Sequence, residues 1–392
     1  MSSPSLPATP AETLAPAAAP SDHSDKVRMT IFVGIFATVL TLSSLLAGLT
    51  WRHFTGVTSL AWVVVPLVLT LSLVPTILLG FRRRHPLLSA VYKISAVSLG
   101  VVNYAVFAAL ACWLAAGVAA ATSLAVDMRV IAWVGFGGAL LVAGYGLLNA
   151  ARLQIVEVGV ALPNLPVSWE GRRIALVSDV HLGNVRGAGF VRRIVARLNA
   201  LKPDAVLLAG DMFDGAAVDL DVIAQPWDKL AAKHGVYFAT GNHDEFSDRQ
   251  KYLTALSRAG IRVLNNEKVL VDGLQFVGVH DGEAGNTNAY REILRRADID
   301  RTRASVLLTH QPSNLAIPEE AGVGLQVSGH THGGQFWPWN KVVARVHGRF
   351  GYGLNSFGKL QVLTSSGAGT WGPPLRVGTK SEIVMITLTR AE

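Results

Sequence analysis

Four long apolar segments in the first 150 residues constrain this chain more than any other feature. They run from about Met29 to Thr50, Leu60 to Phe81, Ile94 to Ala120 and Val130 to Ala150. Each is about as long as the 20 apolar residues that a helix needs to cross a bilayer. A chain in lipid must satisfy its own backbone hydrogen bonds, which a helix does. We therefore predict a transmembrane region of four helices over residues 29–152, in preference to a buried soluble bundle.

The positive charges that flank these segments predict their orientation. One side of the membrane would carry only Arg52 and Arg129. The other would carry seven basic residues, namely Lys26, Arg28, Arg82, Arg83, Arg84, Lys93 and Arg152. Because Lys and Arg are enriched on the cytoplasmic side, the N-terminus and all residues after the last segment should be cytoplasmic. We expect a multi-pass protein of the cell (inner or plasma) membrane.

The remaining boundaries follow from composition. Residues 1–28 are rich in Ala, Pro, Ser and Thr and are expected to form a disordered tail. Residues 153–170 are expected to form an extended connector that leads into a domain over residues 171–392. The net charge of +8 comes from basic residues that are scattered or flank the apolar segments, so we expect no nucleic-acid partner. No obligate protein partner is evident.

After Arg172 the pattern changes to short apolar runs that alternate with helix-like stretches. The runs are four or five residues long, as in Ile174–Val177 and Ala205–Leu208. Helix-like stretches such as Gly189–Leu201 separate several of them. Short continuous apolar runs are typical of strands that are covered on both faces. The fold class is therefore α/β, with mixed sheets between helices.

Five of these runs end in residues that can bind a metal. The segments that follow them are Ser178-Asp179-Val180-His181, Gly210-Asp211-Met212-Phe213-Asp214, Gly241-Asn242-His243-Asp244, Thr309-His310 and Gly329-His330-Thr331-His332-Gly333-Gly334-Gln335. In open α/β sheets, ligands bind beyond the carboxyl ends of the strands. The sequence therefore predicts one shared metal site. In an extended strand end His330 and His332 would project to the same side, and the neighbouring glycines would let the backbone approach the site.

These motifs, in this order, resemble those of the calcineurin-like metallophosphoesterase superfamily. The flanking segments Leu162-Pro163, Leu264-Asn265-Asn266 and Gly369-Thr370-Trp371-Gly372 resemble its YkuE/YaeI-type branch. The architecture is similar to that of the vertebrate transmembrane protein with a metallophosphoesterase domain. The resemblance covers residues 153–390 and implies a four-layer α/β/β/α sandwich behind the four-helix transmembrane region.

The resemblance also implies two divalent metal ions. Asp179, His181 and His332 would bind the first ion. Asn242, His310 and His330 would bind the second, and Asp211 would bridge both. Two carboxylates leave a surplus of positive charge that suits a phosphate group and a bound hydroxide. Ligation by His, Asp and Asn without Cys suits Mn, Fe or Zn and does not choose among them.

Other residues receive roles with open alternatives. His243 is expected to contact the phosphoryl oxygens and to protonate the leaving alkoxide, the alternative being a surface histidine. Asp244 could orient that imidazole, and Asp214 could support the ligands or cap the following helix. His347 and Arg376 could contact the substrate, although Arg376 could equally serve only in packing. Two aromatics beside the last motif, Trp337 and Trp339, could contact lipid or pack between loops.

The sequence thus predicts a membrane-anchored phosphoric ester hydrolase with a dinuclear metal centre. A metal-activated hydroxide would cleave a monoester, diester or pyrophosphate, with a lipid-linked phosphoester among the candidate substrates. Manganese-dependent phosphodiesterase activity is one form of this hypothesis. The alternative is a helical sensor or transport-like membrane protein that a phosphate-binding domain regulates.

Overall fold

The computed structural model describes residues 22–245 and 248–391. The predicted tail therefore lies largely outside the described residues. Five helices precede the α/β domain: α1 (Asp22–Thr55), α2 (Ala61–Leu71), α3 (Leu73–Gly80), α4 (Pro86–Thr122) and α5 (Met128–Ala151). The second apolar segment is divided between α2 and α3 at Ser72, after the internal Pro66. Within the described residues, four stretches are long and apolar enough to span a membrane, as predicted.

Small side chains lie between the membrane-type helices. Ala96, Ala109 and Cys112 of α4 and Ala132 and Ala143 of α5 are almost fully buried. Small residues allow helices to approach closely in a medium where large apolar side chains gain nothing from leaving lipid. The contact between α4 and α5 thus differs from the interior of a soluble helical bundle, which large apolar side chains would fill.

Helix α4 begins eight residues before the predicted start at Ile94. Pro86 occupies its first turn, where a missing N–H costs nothing, and His85 caps it by accepting a hydrogen bond from Leu87 N–H. Its first turns lie against the α/β domain, where Ser89 Oγ donates to Asn184 Oδ1 at 2.9 Å. This helix therefore extends beyond the length that a bilayer requires.

The strands of the α/β domain are short except at its two ends. They are β1 (Leu153–Leu162), β2 (Arg173–Val177), β3 (Ala205–Ala209), β4 (Val236–Ala239), β5 (Arg262–Val263), β6 (Lys268–Val271), β7 (Leu274–Gly278), β8 (Ser305–Leu308), β9 (Leu325–Ser328), β10 (Gly353–Phe357), β11 (Leu360–Thr364) and β12 (Ser381–Arg390). The helices are α6 (Ala188–Leu201), α7 (Leu220–Ala224), α8 (Arg249–Arg258), α9 (Asp281–Gly285), α10 (Thr287–Ala297), α11 (Ala316–Ala321) and α12 (Trp339–His347).

Within the described residues, these strands form two sheets of six. The first sheet has the order β1-β12-β2-β3-β4-β5 and the second has the order β10-β11-β9-β8-β7-β6. Neighbours β2, β3 and β4 are parallel, and so are β7, β8 and β9. Both sheets are mixed, because β12 runs antiparallel to β2 and β6 runs antiparallel to β7.

Three apolar cores separate four layers. One core lies between the first sheet and helices α6 to α8, and includes Phe190 and Leu256. The central core joins both sheets through residues such as Leu176 and Leu308. A third core lies between the second sheet and helices α10 and α11, and includes Leu294. The predicted α/β/β/α sandwich of mixed sheets is confirmed.

The expected connector at residues 153–170 is wrong in its first part. Residues 153–162 form β1, which pairs in parallel with β12 over its whole length from Leu153↔Ser381 to Leu162↔Arg390. Its alternate residues are exposed until Val160 and Leu162, which are fully buried. An edge strand of this kind has one open side and few core positions, so its sequence resembles an extended linker. The α/β domain therefore starts directly after α5.

Candidate metal centre

The predicted cluster forms where the carboxyl ends of strands from both sheets meet. Strands β2, β3 and β4 of the first sheet lead into the loops that carry Asp179, Asp211 and Asn242. Strands β8 and β9 of the second sheet lead into those that carry His310 and His330. These loops converge because parallel strands in adjacent sheets end at one edge.

Unusual backbone geometry aims these side chains at the centre. Five residues have left-handed φ values: Asp179 at 51°, His181 at 50°, Asp211 at 54°, His330 at 70° and His332 at 51°. A residue with a Cβ adopts this conformation at a cost of about 1–3 kcal/mol, and such strain concentrates at functional sites. The sequence suggested that His330 and His332 continue an extended strand, and this expectation is wrong. Each reverses the chain locally and points to a different part of the cluster.

Gly329 and Gly241 are among the glycines that make the close approach possible, whereas a Cβ on Gly333 would meet nothing closer than 3.4 Å. A Cβ on Gly329 would lie 2.3 Å from Asp179 Oδ2, and one on Gly241 would lie 2.2 Å from Asp211 Oδ1. Such contacts are far shorter than any side chain tolerates. These two positions therefore require glycine because a carboxylate lies against the backbone.

One half of the cluster consists of Asp179, His181 and His332. All three are buried, and one ligand atom from each lies within 4.8 Å of the others. His181 Nε2 lies 3.1 Å from His332 Nε2, and His332 Nε2 lies 3.5 Å from Asp179 Oδ1. Two ligand atoms at about 2.0–2.1 Å from one tetrahedral ion are themselves about 3.3 Å apart. The spacing fits a shared cation.

The other half consists of Asp211, His310 and His330, with Asn242 beside them. Their ligand atoms also lie within 4.8 Å of one another. His310 Nε2 is 3.1 Å from Asp211 Oδ2, and His330 Nδ1 is 3.0 Å from Asn242 Oδ1. Asp211 Oδ2 lies 3.7 Å from His181 Nε2, so this carboxylate reaches both halves.

The orientation of His310 also fits a metal ligand. Its Nδ1 lies 2.7 Å from the Ala209 carbonyl oxygen, which fixes Nδ1 as the donor. Its other nitrogen, Nε2, is buried and makes no hydrogen bond of acceptable geometry with the residues that the structure describes. Second-sphere carbonyls commonly orient metal-binding histidines in this way.

Burial and the two carboxylates set the charges of the cluster. Burial lowers the pKa of His330 to about 3 and that of His332 well below its usual value, so both rings are neutral at pH 7. Burial alone would lower the pKa of His310, but the carboxylates of Asp211 and Asp179 raise it well above the ordinary value. Neutral imidazoles are the form that binds metals, and the carboxylates favour a cation at this point.

His243 lies at the mouth of the cluster beside Asp214. Its backbone N–H donates to Asp211 Oδ1 at 2.9 Å, and its Nδ1 lies 3.6 Å from Asp214 Oδ1. The same Asp214 oxygen lies 3.2 Å from His181 Nδ1. Burial lowers the pKa of His243 to about 4, despite the opposing effect of Asp211. Asp214 thus supports two rings, whereas Asp219 caps α7.

Asp244 has a different place from the expected one. Its carboxylate is fully buried and accepts hydrogen bonds from Gly241 N–H at 2.9 Å and Phe213 N–H at 3.0 Å. Burial, followed by repulsion from Asp211, raises its pKa to about 7. Asp244 therefore joins the β3 and β4 loops and does not orient the His243 ring. Adjacent residues in a tight 3₁₀ turn point in different directions. The direction of the Asp244 side chain could therefore not be predicted from its place next to His243.

Arg376 is fully buried, which contradicts a direct contact with substrate. Its guanidinium donates to the carbonyl oxygens of His332 at 3.0 Å and Gly369 at 2.7 Å, and lies 3.3 Å from His332 Nδ1. Arg376 thus holds one ligand loop. His347, at the end of α12, faces His330 with ring centroids 6.3 Å apart.

Two further residues near the centre were not singled out from the sequence. Trp371 is half exposed and its ring centroid lies 6.0 Å from that of His243. Asn149 of α5 donates to the carbonyl oxygens of Arg376 and Thr379 at 3.0 and 2.9 Å. A lone amide at the end of an apolar helix is the signal that could have indicated Asn149.

Comparison with known proteins supports this assignment of the fold. The profile of the calcineurin-like phosphoesterase family matches residues 172–334. The transmembrane protein with metallophosphoesterase domain of Danio rerio is 33% identical over 270 residues, which cover 64% of this chain and 61% of that protein. The chain thus spans about six tenths of the length of this relative.

Two bacterial relatives match over most of their own length. An uncharacterized metallophosphoesterase of Aquifex aeolicus is 30% identical over 260 residues, covering 64% of this chain and 97% of that protein. The uncharacterized metallophosphoesterase YkuE of Bacillus subtilis is 27% identical over 259 residues, covering 62% of this chain and 90% of that protein. With the sandwich, the ordered motifs and the buried Asp/His cluster, these matches establish that the chain belongs to the calcineurin-like metallophosphoesterase family.

Proposed function

We propose that this chain is a membrane-anchored phosphoric ester hydrolase with a dinuclear metal centre. The observation that carries the proposal is the convergence of two overlapping ligand groups in one buried cluster. Asp179, His181 and His332 hold the first ion in this proposal. Asn242, His310 and His330 hold the second, and Asp211 is shared. The spacing of the donor atoms, the neutral rings of His330 and His332, and the second-sphere contacts of His181 and His310 support these assignments.

Two divalent ions at this place would supply Lewis-acid stabilisation of the phosphoryl oxygens and lower the pKa of an attacking water. The protein residues provide the rest. Asp214 and the Ala209 carbonyl keep the rings of His181 and His310 in their binding orientation. The anionic carboxylates of Asp179 and Asp211 keep the ions in place, while neutral rings leave a net positive site for the phosphate.

His243 acts on the leaving group in this proposal. Its ring lies at the mouth of the cluster between Asp214 and the half-exposed Trp371. At neutral pH the ring is neutral, since burial lowers its pKa, and it donates a hydrogen bond to a phosphoryl oxygen. Negative charge on a bound phosphate raises the pKa of a nearby imidazole. His243 thereby takes up a proton from solvent when the phosphate binds, and as an imidazolium it passes that proton to the leaving oxygen as the bond from phosphorus to that oxygen breaks.

The proposed location is the cell membrane, with the N-terminus and the catalytic domain in the cytoplasm. The seven basic residues on one side of the spans and two on the other support this orientation. The contacts of Gly80, Ser89 and Gly146 with the α/β domain are consistent with it, because the end of α3, the start of α4 and the end of α5 lie on the same side of the predicted spans.

The test uses the full chain, purified in lipid, with bis(p-nitrophenyl) phosphate and added Mn²⁺. We expect hydrolysis that EDTA abolishes, and loss of at least about a hundredfold in kcat/KM with reduced metal content for Asp211→Asn. The control is Asp221→Asn, since Asp221 is an exposed carboxylate in α7. Full activity in Asp211→Asn would refute the shared-ligand role. Replacement of Mn²⁺ by Fe²⁺ or Zn²⁺ compares the three proposed metals.

A second candidate function is a helical sensor or transport-like protein that a phosphate-binding domain regulates. The contacts that favour it join α5 directly to the loop that holds His332. Arg376 N–H donates to the Gly146 carbonyl oxygen at 2.9 Å, and Asn149 binds the same loop. Metal bound at full occupancy, without hydrolysis of monoesters, diesters or pyrophosphates, would favour this function over the enzyme.

A further inference from the structure

Helix α12 is amphipathic and stands open on its apolar side. Trp339, Val342 and Val346 follow one another at helical spacings of three and four residues, so they share one face. They are 49%, 50% and 72% exposed, respectively, and none of the described side chains of α12 is buried. Water-soluble domains seldom place a row of large apolar side chains in water.

The start of α12 lies against the side of α4. Trp339 Nε1 donates to Asn103 Oδ1 at 3.0 Å, and the ring of Trp337 lies 5.4 Å from that of Phe107. Asn103 is nineteen residues before Thr122, the last residue of α4 (122 − 103 = 19). At 1.5 Å per residue this is about 28 Å, close to the ~30 Å thickness of the hydrocarbon core.

If Thr122 lies at one membrane surface and α4 runs close to the membrane normal, this length brings Asn103 and both tryptophans to the opposite surface, on the side of the α/β domain. Tryptophan is enriched at such boundaries, because its ring is apolar and its N–H needs a polar partner. The apolar face of α12 thus continues the apolar surface of the membrane helices.

The charges of α12 fit the same location. Lys341 and Arg345 are exposed and lie on the side of the helix away from the apolar face, and Arg349 follows one turn later. Basic residues on the polar side of an amphipathic helix are typical of helices that lie in the headgroup region of an anionic leaflet. The described side chains of α12 include no carboxylate that would oppose this contact.

α12 is also part of the wall of the metal cluster. It starts four residues after Gln335, the end of the His330 motif, and its backbone at Asn340 lies against Gly334. At its other end His347 faces His330. If α12 lies in the headgroup region, the metal cluster that it adjoins also lies close to the lipid surface.

We propose that α12 lies in the headgroup region of the leaflet on the side of the α/β domain, and that the cleft takes the phosphoester of an amphiphile in that leaflet. The apolar part of the substrate remains in the bilayer while its phosphoester reaches the cluster past α12. The location of α12 stands on the contacts above. The substrate class rests in addition on the proposed hydrolase function.

The first experiment measures the location of α12 without reference to activity. A single cysteine replaces Val346 in a Cys112→Ser background and carries an environment-sensitive fluorophore, with Leu270→Cys as the control. Leu270 is also an exposed apolar residue, 58% exposed against 72% for Val346, and lies on β6, the edge strand of the second sheet. The full chain is placed in phosphatidylcholine vesicles with phosphatidylglycerol and a brominated phospholipid. We expect strong quenching at position 346 and none at position 270. Equal quenching at both positions, or none at either, overturns the proposal for α12.

The second experiment compares two diesters with the same chromophore. One is the soluble bis(p-nitrophenyl) phosphate, and the other is hexadecyl p-nitrophenyl phosphate inserted in the vesicles. Val342→Asp together with Val346→Asp should lower kcat/KM for the alkyl ester on the order of tenfold, because charge opposes insertion, and leave the soluble diester unchanged. Leu270→Asp should change neither.

The two experiments separate the proposals. If wild type hydrolyses neither diester, the hydrolase function fails while quenching at position 346 still establishes the place of α12. If the double variant loses activity toward both substrates equally, the substitutions act on the catalytic centre, and the proposed role of α12 in admitting a lipid phosphoester is overturned. Unchanged hydrolysis of the alkyl ester by the double variant contradicts the substrate class.

Discussion

In the helical region many of the large apolar side chains point outward, whereas in the α/β domain most of them point inward. Leu114 and Leu141 are 70% and 77% exposed, and the buried positions between α4 and α5 are held by residues such as Ala109. In the α/β domain Leu176 and Phe238 are fully buried. One chain thus follows two opposite rules of burial on either side of residue 152.

The difference follows from the two solvents. In water, burial of apolar area stabilises a domain by about 25 cal/mol per Å², so large side chains fill its interior. In lipid that gain disappears, and close contact between small residues holds helices together. α12 follows the membrane rule although it belongs to the α/β domain, which is why its exposed apolar face is informative.

The two regions meet at the loop of residues 371–379. Leu375 is fully buried between the helices, and a Cβ on Gly100 or Gly146 would lie 2.4 or 2.9 Å from Leu375 or Val377. Arg376 of the same loop holds the carbonyl oxygen of His332. At this place one loop lies between the helices and the metal cluster, in addition to the contact of α4 with the start of α12.

The largest effect is expected from labelling that separates the two sides of the membrane. In a Cys112→Ser background, a cysteine at Arg152 should resist a membrane-impermeant maleimide in intact cells, and a cysteine at Leu124 should react completely. Both positions are exposed, and they lie at opposite ends of α5. Gel-shift counting of labelled protein measures the fractions. The reverse pattern would place the catalytic domain outside and overturn the proposed orientation.

A smaller effect is expected when the contact between helices and domain is overpacked. Gly146→Leu should displace Leu375 and Val377 and, through Arg376, the His332 loop. We expect kcat/KM for a soluble diester to fall on the order of tenfold, which corresponds to about 1.4 kcal/mol.

The matched control for this change is Gly144, two residues earlier on the same helix. Gly144→Leu meets nothing within 4 Å, because that face of α5 is open. It should retain the activity of wild type. If both variants lose activity equally, the substitutions disturb α5 itself. The displacement of Leu375 and Val377 is then not the cause of the lost activity.

The smallest effect is expected from the ion pair that also crosses between the two regions. Arg84 Nη1 lies 3.1 Å from Asp219 Oδ2, with both side chains well exposed. Exposed pairs of this kind contribute about 0–1 kcal/mol. Arg84→Ala should change the free energy of unfolding by less than about 1 kcal/mol and leave hydrolysis unchanged. A large loss of activity would show that electrostatics, and not the packing of Leu375, joins the two regions.

The chemistry of the cluster was predictable because its residues are local to strand ends. Runs such as Ile174–Val177 identify strands, and the residues that follow them must lie at one edge. The direction of each side chain was not predictable. Asp214 and Asp244 both follow ligand residues, yet one supports two imidazoles and the other joins two loops.

The edge strand β1 also could not be predicted from the sequence. β1 was expected to be a connector, because its exposed and buried residues alternate over a short span and its partner β12 lies more than two hundred residues later. Pairing between such distant segments depends on the whole sheet and has no local signal. The contacts of Asn149 and Arg376 have the same origin: Asn149 acquires its partners only when α5 meets the loop after β11, and Arg376 only when that loop meets the loop of His332.

The sequence alone determined the four apolar segments and the α/β class, because length and hydropathy are properties of local segments. The resemblance of its ordered motifs to those of a known family implied the α/β/β/α sandwich. The tertiary structure decided which residues support the cluster, where the helices touch it and how α12 is exposed. Those features depend on side-chain direction and on contacts between distant segments. The backbone turns at His330 and His332 summarise the distinction: the sequence supplied two adjacent imidazoles, and left-handed φ values in the folded chain direct each to its own half of the cluster.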